Sequence, residues 1–270
     1  MMKKKILVPI VLLVVALATL SFTTGKEVTL RLRPTKGKTY VINSKSTQTS
    51  IMNVQGQTVR STQTIEGRQT FKATETSATT NEFETQINAM KFVISAMGMT
   101  FTYDSEHPED NSPLIAEQAA AVEQFLNKPS TSTYNELGVN ANPDNIQISQ
   151  LSNVIIELPK ENIHVGSQWN CVKTQTVSDY DIIANMTYTV TGISKKSVEV
   201  SFSGSVETTG ISGNYSGKST IDLQTGIVME STISNSISLT VYEQGIEIPM
   251  TMTGTSTITV KERQSETFRI

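Results

Sequence analysis

The sequence predicts a mainly β protein, with long antiparallel strands in a strongly curved sheet or open barrel and one amphipathic helix. Three observations carry this. Apolar and polar residues alternate at period two over long stretches, such as SVEVSFSGSV at 197–206 and IEIPMTMTGTSTITV at 246–260. Such alternation marks strands with one buried and one wet face. Thr (38) and Ser (29) make up about a quarter of the 270 residues, a composition that suits the pleat and a wet face. Helical spacing of apolar residues shows in one place, at 113–127.

The chain opens on an export leader. Lys3, Lys4 and Lys5 precede a 17-residue apolar run, Ile6 to Phe22, and Thr23-Thr24-Gly25 offers small residues for cleavage near Gly25–Lys26. Residues 1–25 are therefore expected to be a signal peptide. A retained anchor is the alternative, since 17 residues reach the lower limit for a span. Cleavage leaves 19 basic against 25 acidic residues, a net charge of −6. That balance disfavours nucleic acid and anionic lipid surfaces as partners. After cleavage no stable membrane span is expected. The expected location is the periplasm or outside the cell, in a bacterial envelope.

Next come the strands. Fifteen residues at about 3.3 Å each would span roughly 50 Å, too long to stay flat in a compact domain. Glycines at Val54-Gln55-Gly56-Gln57, Gln224-Thr225-Gly226 and Glu243-Gln244-Gly245 predict hairpin turns, and Ser194-Lys195-Lys196 a polar one. Gly204 and Gly254 are expected bend or bulge points. Pro249 cannot donate to a ladder, so its strand is an edge or bulged there. Ile227, Met229, Ile233, Ile237, Leu239 and Val241 form one apolar face, and Ile246, Ile248, Met250, Met252, Ile258 and Val260 another.

Ile115, Ala119, Val122 and Leu126 recur at helical spacing, with Ser112 as N-cap and Pro113 at the first helical position. A helix over about 113–127 follows, long enough to cover one mouth or face of the sheet. A short strand within 131–138, a polar connector over 140–153 and a short apolar strand at 154–158 complete the plan.

Two β-units emerge, 26–140 with the helix and 141–270, read as one continuous structure. KGKTY at 36–40 echoes VGSQW at 165–169, TFKAT at 70–74 echoes TYTVT at 187–191, and TFTYD at 100–104 echoes KSTID at 218–222.

On Gly37, Tyr40, Tyr103, Asp104, Leu158, Pro159, Gly166, Trp169, Asp222, Thr225 and Gly226, the chain resembles an uncharacterised family of secreted bacterial proteins. The resemblance implies an envelope location and a β-rich fold, and it implies no activity. Such families often carry a lipid-attachment cysteine, which this chain lacks. In overall plan it is similar to the half-barrel lipid and lipoprotein carriers of the Gram-negative envelope, an analogy of fold alone.

The chemistry-bearing residues are sparse. There is no GxSxG, HExxH, CxxC or phosphate loop. Cys171 is single and reads as a small core residue on the face of Trp169. YDSEHPEDNS at 103–112 gathers Asp104, Glu106, Glu109 and Asp110 around His107. As a calcium loop it fails, with Glu109 and Ile115 where a Gly and a Glu are needed. It reads instead as an acidic turn leading into the helix. No cofactor or metal is expected, and no enzyme activity.

Methionines beside strands can line an adaptable apolar cavity. Met90, Phe92, Ile94, Met229, Leu239, Met250 and Met252 are the candidate ligand-lining residues. The expectation is an exported, non-enzymatic envelope protein that binds an apolar ligand such as a lipid in its curved sheet. A structural or protein-interaction module, and a hydrolase with a distributed site at His107 and Asp104, are the alternatives. An envelope protein is the other candidate partner.

Overall fold

A computed structural model describes residues 26–54, 56–141, 151–177, 180–208, 210–243 and 246–263. The expected leader, the turn at 244–245 and most of the connector expected over 140–153 lie outside them. Among the described residues, eleven antiparallel strands form one open sheet. They are β1 (Thr39–Val54), β2 (Gln57–Thr76), β3 (Thr80–Ala96), β4 (Met99–Asp104), β5 (Pro129–Asn135), β6 (Gln168–Val177), β7 (Tyr180–Ile193), β8 (Ser197–Thr208), β9 (Ile211–Asp222), β10 (Val228–Glu243) and β11 (Ile246–Glu262). Two helical pieces accompany them, α1 (Ala116–Glu123) and α2 (Leu151–Val154).

The order is β4-β3-β2-β1-β11-β10-β9-β8-β7-β6, with β5 beside β3. Two meanders are thus joined where the first strand pairs with the last, from Tyr40↔Glu262 to Met52↔Met250. Pro249 lies just beyond that final pair, where no ladder to β1 requires its N–H.

Parity along the strands separates the two faces. Tyr40, Ile42, Phe71, Ala73, Phe83, Tyr188, Val190, Val198, Val200, Ile221, Ile258 and Val260 are buried on the inner one. Aromatic rings cross it in rows. Tyr40 stacks on Phe71 at 4.9 Å, Phe71 meets Phe83 at 5.8 Å and Phe83 meets Tyr134 at 5.9 Å. Trp169 stacks on Tyr188 at 5.1 Å, and Tyr188 meets Phe202 at 5.5 Å. Each such contact adds about 0.5–1.5 kcal/mol beyond area burial. Burial pushes the hydroxyls of Tyr40 and Tyr134 up to about 12. For Tyr40 the charge of Glu262 adds to the effect.

One end of the inner face is plugged. Leu30 and Leu32 enter it from the segment before β1, and Val154, Ile155, Ile156 and Leu158 from the segment before β6. Val28 and Ile163 exchange backbone hydrogen bonds of 2.9 and 2.8 Å. Arg31 ties the segments together, donating to the carbonyls of Leu30 (2.7 Å), Pro159 (3.0 Å) and Lys160 (2.7 Å).

The two strand starts that echo one another in sequence share a bonding pattern. Gly37 N–H donates to Ala73 O at 2.8 Å, and Ala73 N–H returns to Lys38 O at 3.2 Å. Gly166 N–H donates to Val190 O, and Val190 N–H returns to Ser167 O, both at 2.9 Å. Gly37 and Gly166 both take positive φ, +81° and +93°, which a glycine adopts without steric cost.

Several local expectations are corrected. The helix is shorter than 113–127. Pro113–Ile115 is a 3₁₀ turn, and α1 covers only Ala116–Glu123. Ser112 does not cap it, because its Oγ accepts from the Thr102 N–H at 3.0 Å instead. The segment at 154–158 is buried but pairs with no strand, its residues being consumed by the plug. Gly204 and Gly254 sit in unbroken register. The shifts fall at Arg68/Gln69, Ala73/Glu75, Val190/Gly192 and Val228/Glu230. The last sets Val228, in place of Met229, opposite the buried Ile221.

Candidate functional site

Two surfaces bear on function, one on each side of the sheet. On the outer face, the YDSEHPEDNS segment leans over β2 and β3 and closes a groove of about 540 Å³. Its floor is Ala89, small and placed where the β2–β3 register shifts. Glu106 reaches back two strands to Arg68 at 2.6 Å. Lys91 meets Asp104 at 3.0 Å, and Lys45 meets Glu66 at 2.8 Å. Each of these three cations already has its own carboxylate. The Arg68–Glu106 and Lys45–Glu66 pairs are exposed and contribute little to stability, whereas Asp104 is buried. The three pairs also leave no surplus charge to draw a charged ligand.

Burial pushes the Asp104 carboxyl up. The Lys91 hydrogen bond, the Glu106 N–H and the Lys91 charge outweigh that and hold it below the usual aspartate range. The same bond and charge push the Lys91 ammonium up.

The rest of the segment caps a sheet edge. Asn111 Oδ1 accepts from the Asp104 N–H at 2.6 Å and Ser112 Oγ from the Thr102 N–H. Ser112 N–H donates to Thr102 O at 2.9 Å. Lower on β3, Asn127 N–H donates to Ile87 O at 2.8 Å. Side chains and loop backbone thus occupy polar groups that an edge strand would otherwise present. His107 is exposed, 3.6 Å from Glu109. Ser167 Oγ lies 2.9 Å from His164 Nδ1, but it also accepts from the His164 N–H, which makes the contact a turn bond. Among the described residues, no group of three His, Cys, Asp or Glu side chains could hold a metal.

The inner face is different in chemistry. Among the described residues, α1 packs against Phe92 and Tyr103 of β3 and β4, and α2, whose Val154 belongs to the plug, approaches β10. Met250, Met252, Gly254 and Ser256 are half-buried, while Thr251, Thr253, Thr255 and Thr257 between them are exposed. The shielding thus falls on one parity only.

The register reads out three bands from the open rim inward. Val59, Met52, Met250, Leu239 and Ile211 align at the rim, and Met252 beside Ile237 lies one step deeper. The next step is polar: Gln63, Gln48, Gly254, Asn235 and Tyr215 stand abreast on β2, β1, β11, β10 and β9. Beyond it Ile65, Ile233 and Phe202 lead to the filled core. On these strands the charged side chains between the rim and the core, among them Lys45, Arg60, Glu66, Arg68 and Lys218, take outer-face parity.

Asn235 fills the space that a side chain at position 254 would take. A Cβ there would come within 2.9 Å of Asn235 Oδ1. That oxygen is buried and has no hydrogen-bond partner. Gln48 Nε2 donates to the Met252 sulfur at 3.6 Å.

The seven residues expected to line a ligand divide among three places. Met90, Phe92 and Ile94 lie under α1, packed with Tyr103, Ile115 and Ala119. Met229 packs against the main core. Leu239, Met250 and Met252 lie together near the open rim. The polar band was not anticipated, although parity contained it. Asn235 shares parity with Ile233 and Ile237, and Gln48 with Tyr40 and Ile42. Apolar patterning discards such positions as interruptions.

No family model matches the chain, and no curated protein matches it. The family resemblance therefore rests on its short motifs. Among solved structures, lipovitellin, from work on its lipid–protein interactions, aligns at TM-score 0.54 and 11% identity, over 86% of this chain. The chain spans 26% of the length of that lipovitellin chain. The likeness is one of fold. An outer membrane channel from Pseudomonas putida F1 aligns at TM-score 0.25 and 8% identity, over 84% of this chain and 97% of its own. The translocator domain of the autotransporter NalP from Neisseria meningitidis aligns at TM-score 0.24 and 9% identity, over 83% and 88%.

Proposed function

We propose that this is an exported, non-enzymatic protein of the bacterial cell envelope whose curved sheet holds an apolar ligand, a lipid or an acyl chain. The observation that carries the reading is the band of Met52, Met250, Met252, Ile237 and Leu239, side by side at one parity of β1, β10 and β11 and half-buried or buried there. Burying such a band returns about 25 cal/mol per Å² of apolar surface. Methionines adapt to chains of varied shape. The fold shared with part of lipovitellin supports the same reading. The proposal takes the chain as two related units, 26–140 and 141–270, on the strength of the bonding pattern shared at Gly37 and Gly166.

Gentle purification from the native envelope, followed by organic extraction and mass spectrometry, tests it. A lipid should co-purify in near-equimolar amount. Absence of any lipid, with no uptake from added lipid, refutes the reading.

One observation favours a second reading, a protein-interaction module. Among the described residues, nothing pairs with the free side of β6, whereas the opposite edge is capped. An extended segment of a partner could add there as a strand. Cross-linking in intact envelopes should then give one reproducible partner.

A further inference from the structure

We infer that the corner of the open rim formed by the β1–β2 and β3–β4 hairpins docks on a lipid bilayer of zwitterionic headgroups, with Met97 and Met99 entering the acyl boundary. This goes beyond the apolar-ligand reading and does not depend on it.

One turn at that corner is disfavoured by folding alone. Met97 and Gly98 join β3 to β4 with φ of +52° and +77°, a two-residue loop held wholly in the left-handed region. Such loops prefer Asn-Gly, Asp-Gly or Gly-Gly, because a longer side chain meets a steric cost there. The other described non-glycine residue with positive φ is indeed an asparagine, Asn127. Here a methionine holds the first loop position and is 73% exposed. Strain and exposure both oppose Met97, so what favours it is a contact outside the isolated chain.

The exposed apolar surface continues beside the turn. Met99, 52% exposed, stands opposite Ala96 and shares the face of Phe101 and Tyr103. Ile51, also exposed, stands opposite Arg60. Ala96 pairs with Ser61, the residue after Arg60, so the turn leaves β3 beside Arg60. From Ser46 to Val59 and from Phe92 to Tyr103 no residue is charged, in a chain that is 17% charged. Arg60, on the outer side of the β1–β2 hairpin, makes no ion pair among the described residues. Its stem can lie along apolar side chains while the guanidinium stays at the level of the phosphates.

Area and edge chemistry favour a bilayer over a protein. A patch of three such side chains is on the order of a few hundred Å². A specific protein interface needs roughly 1,000 Å² with matched shape, and a fluid bilayer needs no match. A second copy extending the sheet at β4 would find the N–H groups of Thr102 and Asp104 already taken by Ser112 and Asn111. Charge selects the headgroup. Without its expected leader the chain has 19 basic against 25 acidic residues, which disfavours an anionic surface. One cation beside an uncharged tip suits a phosphate that carries its own counter-charge.

The corner also lies at the end of the sheet where the apolar band opens. Ala96 pairs with Ser61 and Ser61 with Ser50, two residues before Met52. Docking there brings the mouth of the band to the membrane surface.

The test uses the full chain and vesicles of dioleoylphosphatidylcholine. In Met97→Trp the tip indole should be quenched by phosphatidylcholine brominated on its acyl chains. Trp169 of the unaltered chain, half-buried and donating to Glu157 O, should not be. Met97→Ser with Met99→Ser should lower vesicle partition at least about tenfold. Met97→Asn should act in two opposite senses, raising the urea midpoint because asparagine suits the loop and lowering partition about fivefold. Absence of quenching in Met97→Trp overturns the inference. So does partition indifferent to these substitutions, or self-association of the unaltered chain that Met97→Asn abolishes, which would make the corner an interface between copies. In each case the apolar-ligand reading stands or falls by its own lipid extraction.

Discussion

Gly217→Ala offers the sharpest test of the inner-face packing. Gly217 lies on β9 beneath the Phe202 ring of β8. A Cβ there would come within 2.1 Å of Thr232 O and 2.3 Å of Phe202 Cζ, where real contacts stay beyond 3.0 Å. The ring can give way at some cost. The Thr232 carbonyl cannot, because it belongs to the strand paired with β9 through Thr232↔Lys218. Overpacking of this kind costs about 1–3 kcal/mol, and obstruction by backbone places Gly217→Ala near about 3. Gly67→Ala is the control. Its Cβ would meet only Ser44 Oγ, at 3.0 Å, and that hydroxyl can rotate. There the lower chain entropy of alanine offsets the contact, and the change should stay within about 0.5 kcal/mol. Urea unfolding followed by far-ultraviolet circular dichroism reads both. Adding Phe202→Leu to Gly217→Ala should recover about 1 kcal/mol as a coupling, not the whole loss, since the carbonyl contact remains. Equal stability of the two alanine variants, or zero coupling, would refute the close approach of β8 and β9.

Three further outcomes follow from the same structure. Asp104 has a folded pKa below its unfolded one, so its stabilisation is present above the unfolded pKa and disappears as pH falls through the folded value; Asp104→Asn should therefore flatten the acid limb of a stability–pH profile below about pH 4 and lower stability at pH 7. Asn111→Ala with Ser112→Ala frees the N–H groups of Asp104 and Thr102, and should cost about 1–2 kcal/mol and raise concentration-dependent association in light scattering; unchanged association would show that the edge is protected otherwise. Arg31→Met removes the donor to three carbonyls, and should cost about 2–4 kcal/mol by urea unfolding and hasten proteolysis near Lys160, while an unchanged digest would count against the tie.

Much of the fold was legible because parity is a local property. Val198, Val200, Phe202 and Val206 were placed on one face by alternation and are all buried on it. Cys171 and Trp169 shared a face as expected. Other features escaped because their causes are remote in sequence. Ser112 has the chemistry of a helix cap, but the edge of β4 competes for its hydroxyl. The apolar run at 154–158 has strand composition, yet its residues are buried in the plug at the end of the inner face, a packing made with distant strands. Glu106 finds Arg68 only because β4, β3 and β2 lie side by side.

The inner-face site shows the same division. Sequence by itself determined that Met250, Met252 and Leu239 would share a face, since period two needs nothing beyond the pleat. Between the rim and the core it also set the charged residues of these strands, such as Lys45, Glu66 and Lys218, at the opposite parity. Only the tertiary structure decided which faces meet. The pairing of β1 with β11, made by residues some 200 positions apart, sets Gln48, Gly254 and Asn235 abreast. Register between distant strands is fixed by the summed packing of both faces, and no local pattern encodes it.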